Sequence, residues 1–316
     1  MLSGDCMHNT LSTKRYRALN DHYRERYGRK IFKVPLDGGF TCPNKDGTKG
    51  TGGCVFCSPS GSGDFAGDPR LPLKEQFDRG RERLHEKWPE AAYIAYFQAN
   101  TNTYADVATL KRNFDTAIAL HPRIVALAIA TRPDALDAEK IAYLDQLSKR
   151  VDVTVELGLQ TMHDTTAARI NRGHDLACFD DAVKQLARTG VEVVVHIING
   201  LPGETPAMML NTVRHLNTLP LHGVKIHMLH VMKNTTLGAA YTAAPFPLLS
   251  LPSYVDIVVN QLEHLRPDLV IHRLTGDSPK AALIAPTWTL KKFVVMNEID
   301  KRMRALNTHQ GARYVK

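Results

Sequence analysis

The sequence has no uninterrupted run of ~18 apolar residues, so no membrane-spanning helix is expected. Its first residues, Met-Leu-Ser-Gly-Asp-Cys-Met-His, lack the apolar stretch of a secretory signal. It has no Walker P-loop, G-x-G-x-x-G fingerprint, H-E-x-x-H or G-x-S-x-G element. Nucleotide hydrolysis, dinucleotide redox chemistry and serine hydrolysis therefore have no motif support. Internal repeats and low-complexity tracts are absent as well. Cysteine is scarce, with 5 in 316 residues. The count is odd, three of the five are clustered, and Cys6 and Cys178 lie far from them. A disulfide framework is not expected, and a reducing, cytoplasmic setting fits better.

What is present reads as globular. The composition is 43% hydrophobic and 23% charged, which excludes a mainly disordered chain. The length suits one large α/β domain with an appendage, or two small ones. Lys and Arg outnumber Asp and Glu by 40 to 32, for a formal net charge of +8. That surplus is compatible with a polyanionic partner such as RNA, and equally with a basic cytosolic enzyme.

Short segments rich in Val, Ile and aromatics predict strands at 31–36, 92–98, 123–130, 151–158, 191–198 and 223–231. Helical stretches at 73–88, 105–120, 137–149, 175–189 and 205–218 separate them, with Asp137 as an N-cap and Gly190 as a stop. Near-continuous apolar strands alternating with helices predict a parallel sheet covered by helices, closing into a barrel or partial barrel of six βα units. The expected organisation is an N-terminal arm or helix over 1–30, a core over 31–240 and a C-terminal extension over 241–316. The Ala-, Pro- and Leu-rich stretch 240–252 marks the boundary. The extension is expected to hold a helix at 253–265, a strand at 268–275 and a long helix at 287–306 that carries Lys291, Lys292, Lys301, Arg302 and Arg304.

In such folds the chemistry gathers at the carboxyl ends of the strands. The first predicted strand runs directly into a glycine-rich loop with Cys42, Cys54 and Cys57 at C-x11-C-x2-C spacing. Three thiolates are one short of a closed iron–sulfur or zinc site. An iron–sulfur cluster with one open iron is one reading, and a zinc site completed by His8 or His22 is the other. At the second strand's end, Gln98-Ala99-Asn100-Thr101-Asn102-Thr103-Tyr104 crowds amides and hydroxyls. The third ends in Thr131-Arg132-Pro133-Asp134, where Arg132 either holds a carboxylate or pairs with a neighbouring acid. The fourth gives Glu156-Leu157-Gly158-Leu159-Gln160 and then Asn171-Arg172-Gly173-His174. A carboxylate inside that apolar strand needs a partner, so Glu156 is either a ligand contact or half of a buried ion pair. The fifth ends in Gly200-Leu201-Pro202-Gly203-Glu204-Thr205, which permits close backbone approach to a flat ligand. The sixth carries His227 and His230, three apart and so expected on opposite faces.

Together, in this order on a βα pattern, these motifs resemble the radical S-adenosylmethionine (SAM) superfamily, and within it the Elp3-like, YhcC/YtqA-type bacterial branch. The resemblance spans nearly the whole chain, and Gln310-Gly311-Ala312-Arg313-Tyr314 at its end also looks like this branch. It implies a partial (βα)6 TIM-like barrel with a small C-terminal α/β extension. It implies one [4Fe–4S] cluster on Cys42, Cys54 and Cys57, with SAM on the fourth iron. Reductive cleavage of SAM would yield a 5′-deoxyadenosyl radical that abstracts hydrogen from the substrate. By the same resemblance Gln160 touches the SAM ribose, Arg172 holds its carboxylate and Gly200-Leu201-Pro202 backs the adenine. The chain departs from relatives at Gln98-Ala99-Asn100, Ala130 and His196, and Asn100 and Glu156 are the expected replacements. Likeness to Elp3 also implies tRNA, at the wobble uridine, as substrate class, and a flavodoxin- or ferredoxin-type electron donor. The length leaves no room for the acetyltransferase domain of Elp3. A small-molecule or protein substrate is the alternative, with the cations of 287–306 forming a solvated helix face. A non-catalytic RNA-binding protein with a structural metal site is a further one.

Overall fold

A computed structural model describes residues 14–85 and 88–316. Cys6, His8 and the start of the expected arm lie outside these residues, as do 86–87 of the expected helix 73–88. Six strands follow the predicted segments closely: β1 (Ile31–Leu36), β2 (Ala92–Phe97), β3 (Ile124–Thr131), β4 (Asp152–Gln160), β5 (Glu192–Asn199) and β6 (Gly223–Met228). All are parallel and neighbour one another in chain order. The segment expected as one strand over 223–231 is split. After β6 the chain turns and enters a two-residue strand, β7 (Val231–Met232), which pairs antiparallel with β9 (Leu283–Ala285).

The expected core and C-terminal extension share one sheet. The strand expected in the extension, β8 (Val270–Arg273), pairs parallel with β6 and makes a seventh strand of the same curved sheet. The N-terminal segment lies along that strand's outer edge, where Ile271 N donates to Arg17 O at 2.8 Å. Gln310 braces the corner. It accepts from Arg17 N and donates to the carbonyls of Arg266 and Leu269.

Helices α2 (Leu73–His85), α3 (Val107–Ala119), α4 (Ala138–Ser148), α6 (Leu176–Leu186) and α7 (Pro206–Leu216) cover the outer face of the sheet. Asp106, Asp137, Asp175 and Thr205 cap α3, α4, α6 and α7 by accepting a backbone N–H of the first turn. Two short helices, α5 (Asp164–Arg169) and α8 (Thr236–Ala243), were not legible in the sequence. The 253–265 helix is α9 (Leu251–His264), and 287–306 is a short 3-10 turn followed by α10 (Lys292–Ala305).

Strand side chains alternate between two environments. Val153, Val155, Leu157 and Leu159 of β4 join the main apolar core under the helices, as do Val193, Val195 and Ile197 of β5. The opposite residues point into the barrel. At its base Ile31, Ala92, Ile94 and Ala126 form a second, smaller apolar cluster. Helix α1 (Leu19–Tyr27) plugs that end: Tyr23 and Tyr27 pack on the cluster, and Arg26 pairs with Asp152 and Glu192 at the starts of β4 and β5. The barrel is therefore closed at the strands' amino ends.

Candidate active site

Cys42, Cys54 and Cys57 lie on the loop after β1, at the carboxyl end of the barrel. The loops after other strands hold this one in place. Asn44 Nδ2 donates to Asn171 O at 2.6 Å, Asn171 Nδ2 to Gly53 O at 2.8 Å, and Val55 N to Ile170 O at 3.0 Å. Lys45 Nζ reaches Asn100 Oδ1 at 3.0 Å, and Asn100 N donates to Gly61 O at 3.0 Å. Gly61 is left-handed (φ +65°), and a Cβ there would stand 1.9 Å from Asn100 Oδ1. Only glycine admits that approach. Asn100, expected as a SAM contact, is thus first a brace for the cysteine loop, and it also lines the cavity described below.

The thiols have polar neighbours. Asn44 Nδ2 lies 3.9 Å from Cys54 Sγ, and Ser62 Oγ lies 3.5 Å from Cys57 Sγ. The Cys57 thiol is lowered to about 7, first by a hydrogen bond with Cys54 and also by Ser62, Lys45 and Arg132, against its burial. The same hydrogen bond, together with burial, pushes Cys54 up. One thiolate of the pair forms readily at neutral pH. Among the described residues, no three His, Cys, Asp or Glu side chains gather as the ligands of a single ion would. The three thiols share the lining of one cavity, and three thiolates with a fourth position left open are a donor set that fits an iron–sulfur cluster. His22 does not complete a zinc site with them. It sits on α1, which plugs the opposite end of the barrel.

The cavity holds about 690 Å³ and runs down the barrel from the cysteines to Leu19 of α1. Its volume lies in the range of small-molecule sites. Gln160 lines it, left-handed at the end of β4 (φ 61°), with its amide nitrogen turned to the carbonyls of Gly158 and Leu159. Arg172 also lines it, but its guanidinium is committed. Nη1 donates to Leu159 O and Thr161 O, both at 2.6 Å, Nε to His174 O at 2.9 Å, and Nη2 to Asp164 at 3.1 Å. Arg172 is only 1% exposed; it braces the turn that carries Gln160. Arg132 pairs with its neighbour Asp134, both contacts at 2.9 Å. The expected adenine-backing residues sit a layer back. Leu201 is buried with Ile170, Val231 and Leu237, and Gly200 and Pro202 do not line the cavity, whereas Phe56, Ile198 and Leu229 of the same cluster do.

Glu156 also lines the cavity. It points into the barrel, fully buried, and both oxygens are taken. Oε1 accepts from Lys33 Nζ at 2.5 Å, and Oε2 accepts from Tyr96 Oη at 2.7 Å, His196 Nε2 at 2.9 Å and Lys225 Nζ. Burial alone would raise its carboxyl, but Lys225, Lys33 and His196 outweigh burial and hold it well below the usual range. Burial first, and Lys225 second, depress His196 to about 4 against the pull of Glu156. Burial also lowers Lys225 to about 7 despite Glu156, whereas Lys33 stays protonated because Glu156 outweighs its burial. Glu156 is therefore the hub of an ion cluster, the second of its two sequence readings. His227 and His230 both line the cavity, because β6 ends at Met228 and the chain turns before His230.

Sequence reasoning passed over Lys33, Tyr96 and Lys225. The available signal was a lone lysine within an apolar strand, at an inward position: Ile-Phe-Lys33-Val and Gly-Val-Lys225-Ile. The basic helix looks different as well. On α10, Lys301 pairs with Glu298 and Arg302 with Asp256, while Lys292 reaches Asp277, so acids offset much of its charge.

A family model described as "Radical SAM superfamily" matches residues 46–216, and one described as "Radical_SAM C-terminal domain" matches 221–305. The protein YtqA of Bacillus subtilis is 46% identical over 94% of this chain and 92% of its own length. The tRNA uridine(34) acetyltransferase of Methanocaldococcus infernus is 26% identical over 51% of this chain and 30% of its own length. Among solved structures, an N-terminally truncated Elp3 from Methanocaldococcus infernus superposes with a TM-score of 0.65 at 18% identity. That match covers 89% of this chain and 64% of the other, and it is a likeness of fold.

Proposed function

This chain belongs to the radical SAM superfamily, and from that premise we propose that it is a tRNA-modifying enzyme acting on the wobble uridine. Enzymes of this superfamily take a [4Fe–4S] cluster and SAM. When bound, they supply an organic radical able to abstract hydrogen, and the chain must bind, orient and shield. The observation that carries the reading is the convergence of three thiols and the β4 turn on one barrel cavity. In this reading Cys42, Cys54 and Cys57 hold the cluster, and Gln160 and Asn100 face SAM. Arg172 fixes the turn beneath Gln160. Phe56, Ile198 and Leu229 give the apolar wall in front of Gly200-Leu201-Pro202. Glu156 belongs to the substrate side.

Three features support RNA. The net charge is +8, a relative is named for tRNA uridine 34, and Phe65 lines the cavity while half exposed. An exposed ring at such a mouth can stack on an unpaired base. Phe65→Ala is expected to weaken tRNA binding by ~1–3 kcal/mol, with wild-type affinity falling steeply as salt rises. Filter binding at two salt concentrations measures both. Nucleoside mass spectrometry of tRNA from cells lacking the protein should show a modified uridine missing. The acid-paired cations of α10 favour a second reading, a small-molecule substrate, which predicts an unchanged nucleoside profile.

A further inference from the structure

The inner face of the barrel below the cysteines carries more cation than anion. Lys33 on β1 and Lys225 on β6 share the single carboxylate of Glu156. At the rim, Arg273 and Lys292 share the single carboxylate of Asp277. Each group leaves one positive charge over. Arg273 and Lys292 are exposed to solvent, but the surplus at Lys33 and Lys225 is buried, and a buried surplus charge is costly unless something compensates it. Nitrogens of three lining histidines, Nε2 of His227, Nε2 of His230 and Nδ1 of His272, are buried without a hydrogen-bond partner. Ala126, Ala128 and Ala130 are the inward residues of β3, so that side of the barrel contributes no bulk. Space, surplus positive charge and unfilled imidazole nitrogens thus coincide in one cavity.

We propose that the substrate brings an anionic group, a carboxylate or a phosphate, into the barrel interior, where Lys33 and Lys225 bind it and His227 donates to it. The inference rests on the reading of this cavity as the active site, but not on tRNA as the substrate. An incoming anion favours the charged form of Lys225, whose own pKa of about 7 is set by burial, Glu156, Lys33 and Arg273. Tyr96 and His196 also face this lysine; His196 is neutral above about 4. Binding is therefore strongest below pH 7, weakens above it, and takes up a proton there.

The test is anaerobic calorimetric titration of the cluster-loaded protein with inorganic phosphate and, separately, with malonate. Saturable binding of one of them is expected, and which one binds tells phosphate from carboxylate. Lys225→Met should weaken it at least tenfold, about 1.4 kcal/mol, and Lys225→Arg should restore it. Lys33→Met is the second variant should Lys225→Met fail to fold, as judged by circular dichroism and iron content. The proposal is overturned if neither anion binds saturably, or if both methionine variants bind as the wild type does. SAM cleavage by the wild type is read alongside. Cleavage without anion binding sinks this inference and spares the functional reading; anion binding without cleavage sinks the functional reading and leaves an anion site that is no longer a substrate site.

Discussion

Cys54→Ala is expected to purify folded but with iron and sulfide at background, and to release no 5′-deoxyadenosine from SAM. Two thiols cannot hold three irons of a [4Fe–4S] cluster, so the loss should be complete. The loop itself should survive. Its anchors are Asn44 to Asn171, Asn171 to Gly53, Val55 to Ile170, and Asn100 to Gly61, and none of them uses the Cys54 side chain. Cys178 supplies the control. It lies on α6, outside the cavity lining, so Cys178→Ala should keep the wild-type iron content and cleavage rate. Iron and sulfide assays on anaerobically prepared protein decide the matter. Wild-type iron in Cys54→Ala would contradict the assignment.

The second large effect is on stability. Glu156→Gln removes the one carboxylate that compensates two buried ammonium groups. Breaking such a pair from one side costs about 3–5 kcal/mol, because the remaining charge has no partner. The pH dependence has a definite sign. Lys225 titrates near its ordinary 10.5 when unfolded and at about 7 when folded. Between these values the unfolded chain binds more protons, so this residue makes stability rise with pH. Without Glu156 the folded value drops further and the gap widens. The deficit should therefore be largest below pH 7, where the wild type still charges Lys225, and should shrink as pH rises through 7 and then level off up to pH 10. Urea denaturation of both proteins across that range measures it. A deficit below ~1 kcal/mol at every pH would show that Glu156 is not the hub described.

The six core strands and the cysteine loop were readable because each strand is a short apolar run and the loop follows the first of them directly. The seventh strand was seen, but not its partner: nothing in Asp-Leu-Val-Ile-His-Arg-Leu-Thr tells that it pairs with β6. The short helices α5 and α8 fall below the length at which helical periodicity is visible. The ion cluster was hidden for a different reason. Lys33, Glu156 and Lys225 come from β1, β4 and β6, and only the closed sheet brings them together. Glu156 carried a readable signal, a carboxylate in an apolar strand, and its two readings could not be separated without its partners. Arg172 shows the limit of spacing. Its place after Gln160 was right for a shared site, yet which acceptors its donors meet depends on the path of the turn, where the carbonyls of Leu159, Thr161 and His174 take them.

The central claim is that the three thiols seat a cluster at which SAM is cleaved. The most direct measurement is 5′-deoxyadenosine release from SAM by the anaerobic, chemically reduced wild-type protein. The account predicts release that depends on reductant and disappears in Cys54→Ala. No 5′-deoxyadenosine, from protein that carries zinc and no sulfide, would contradict it.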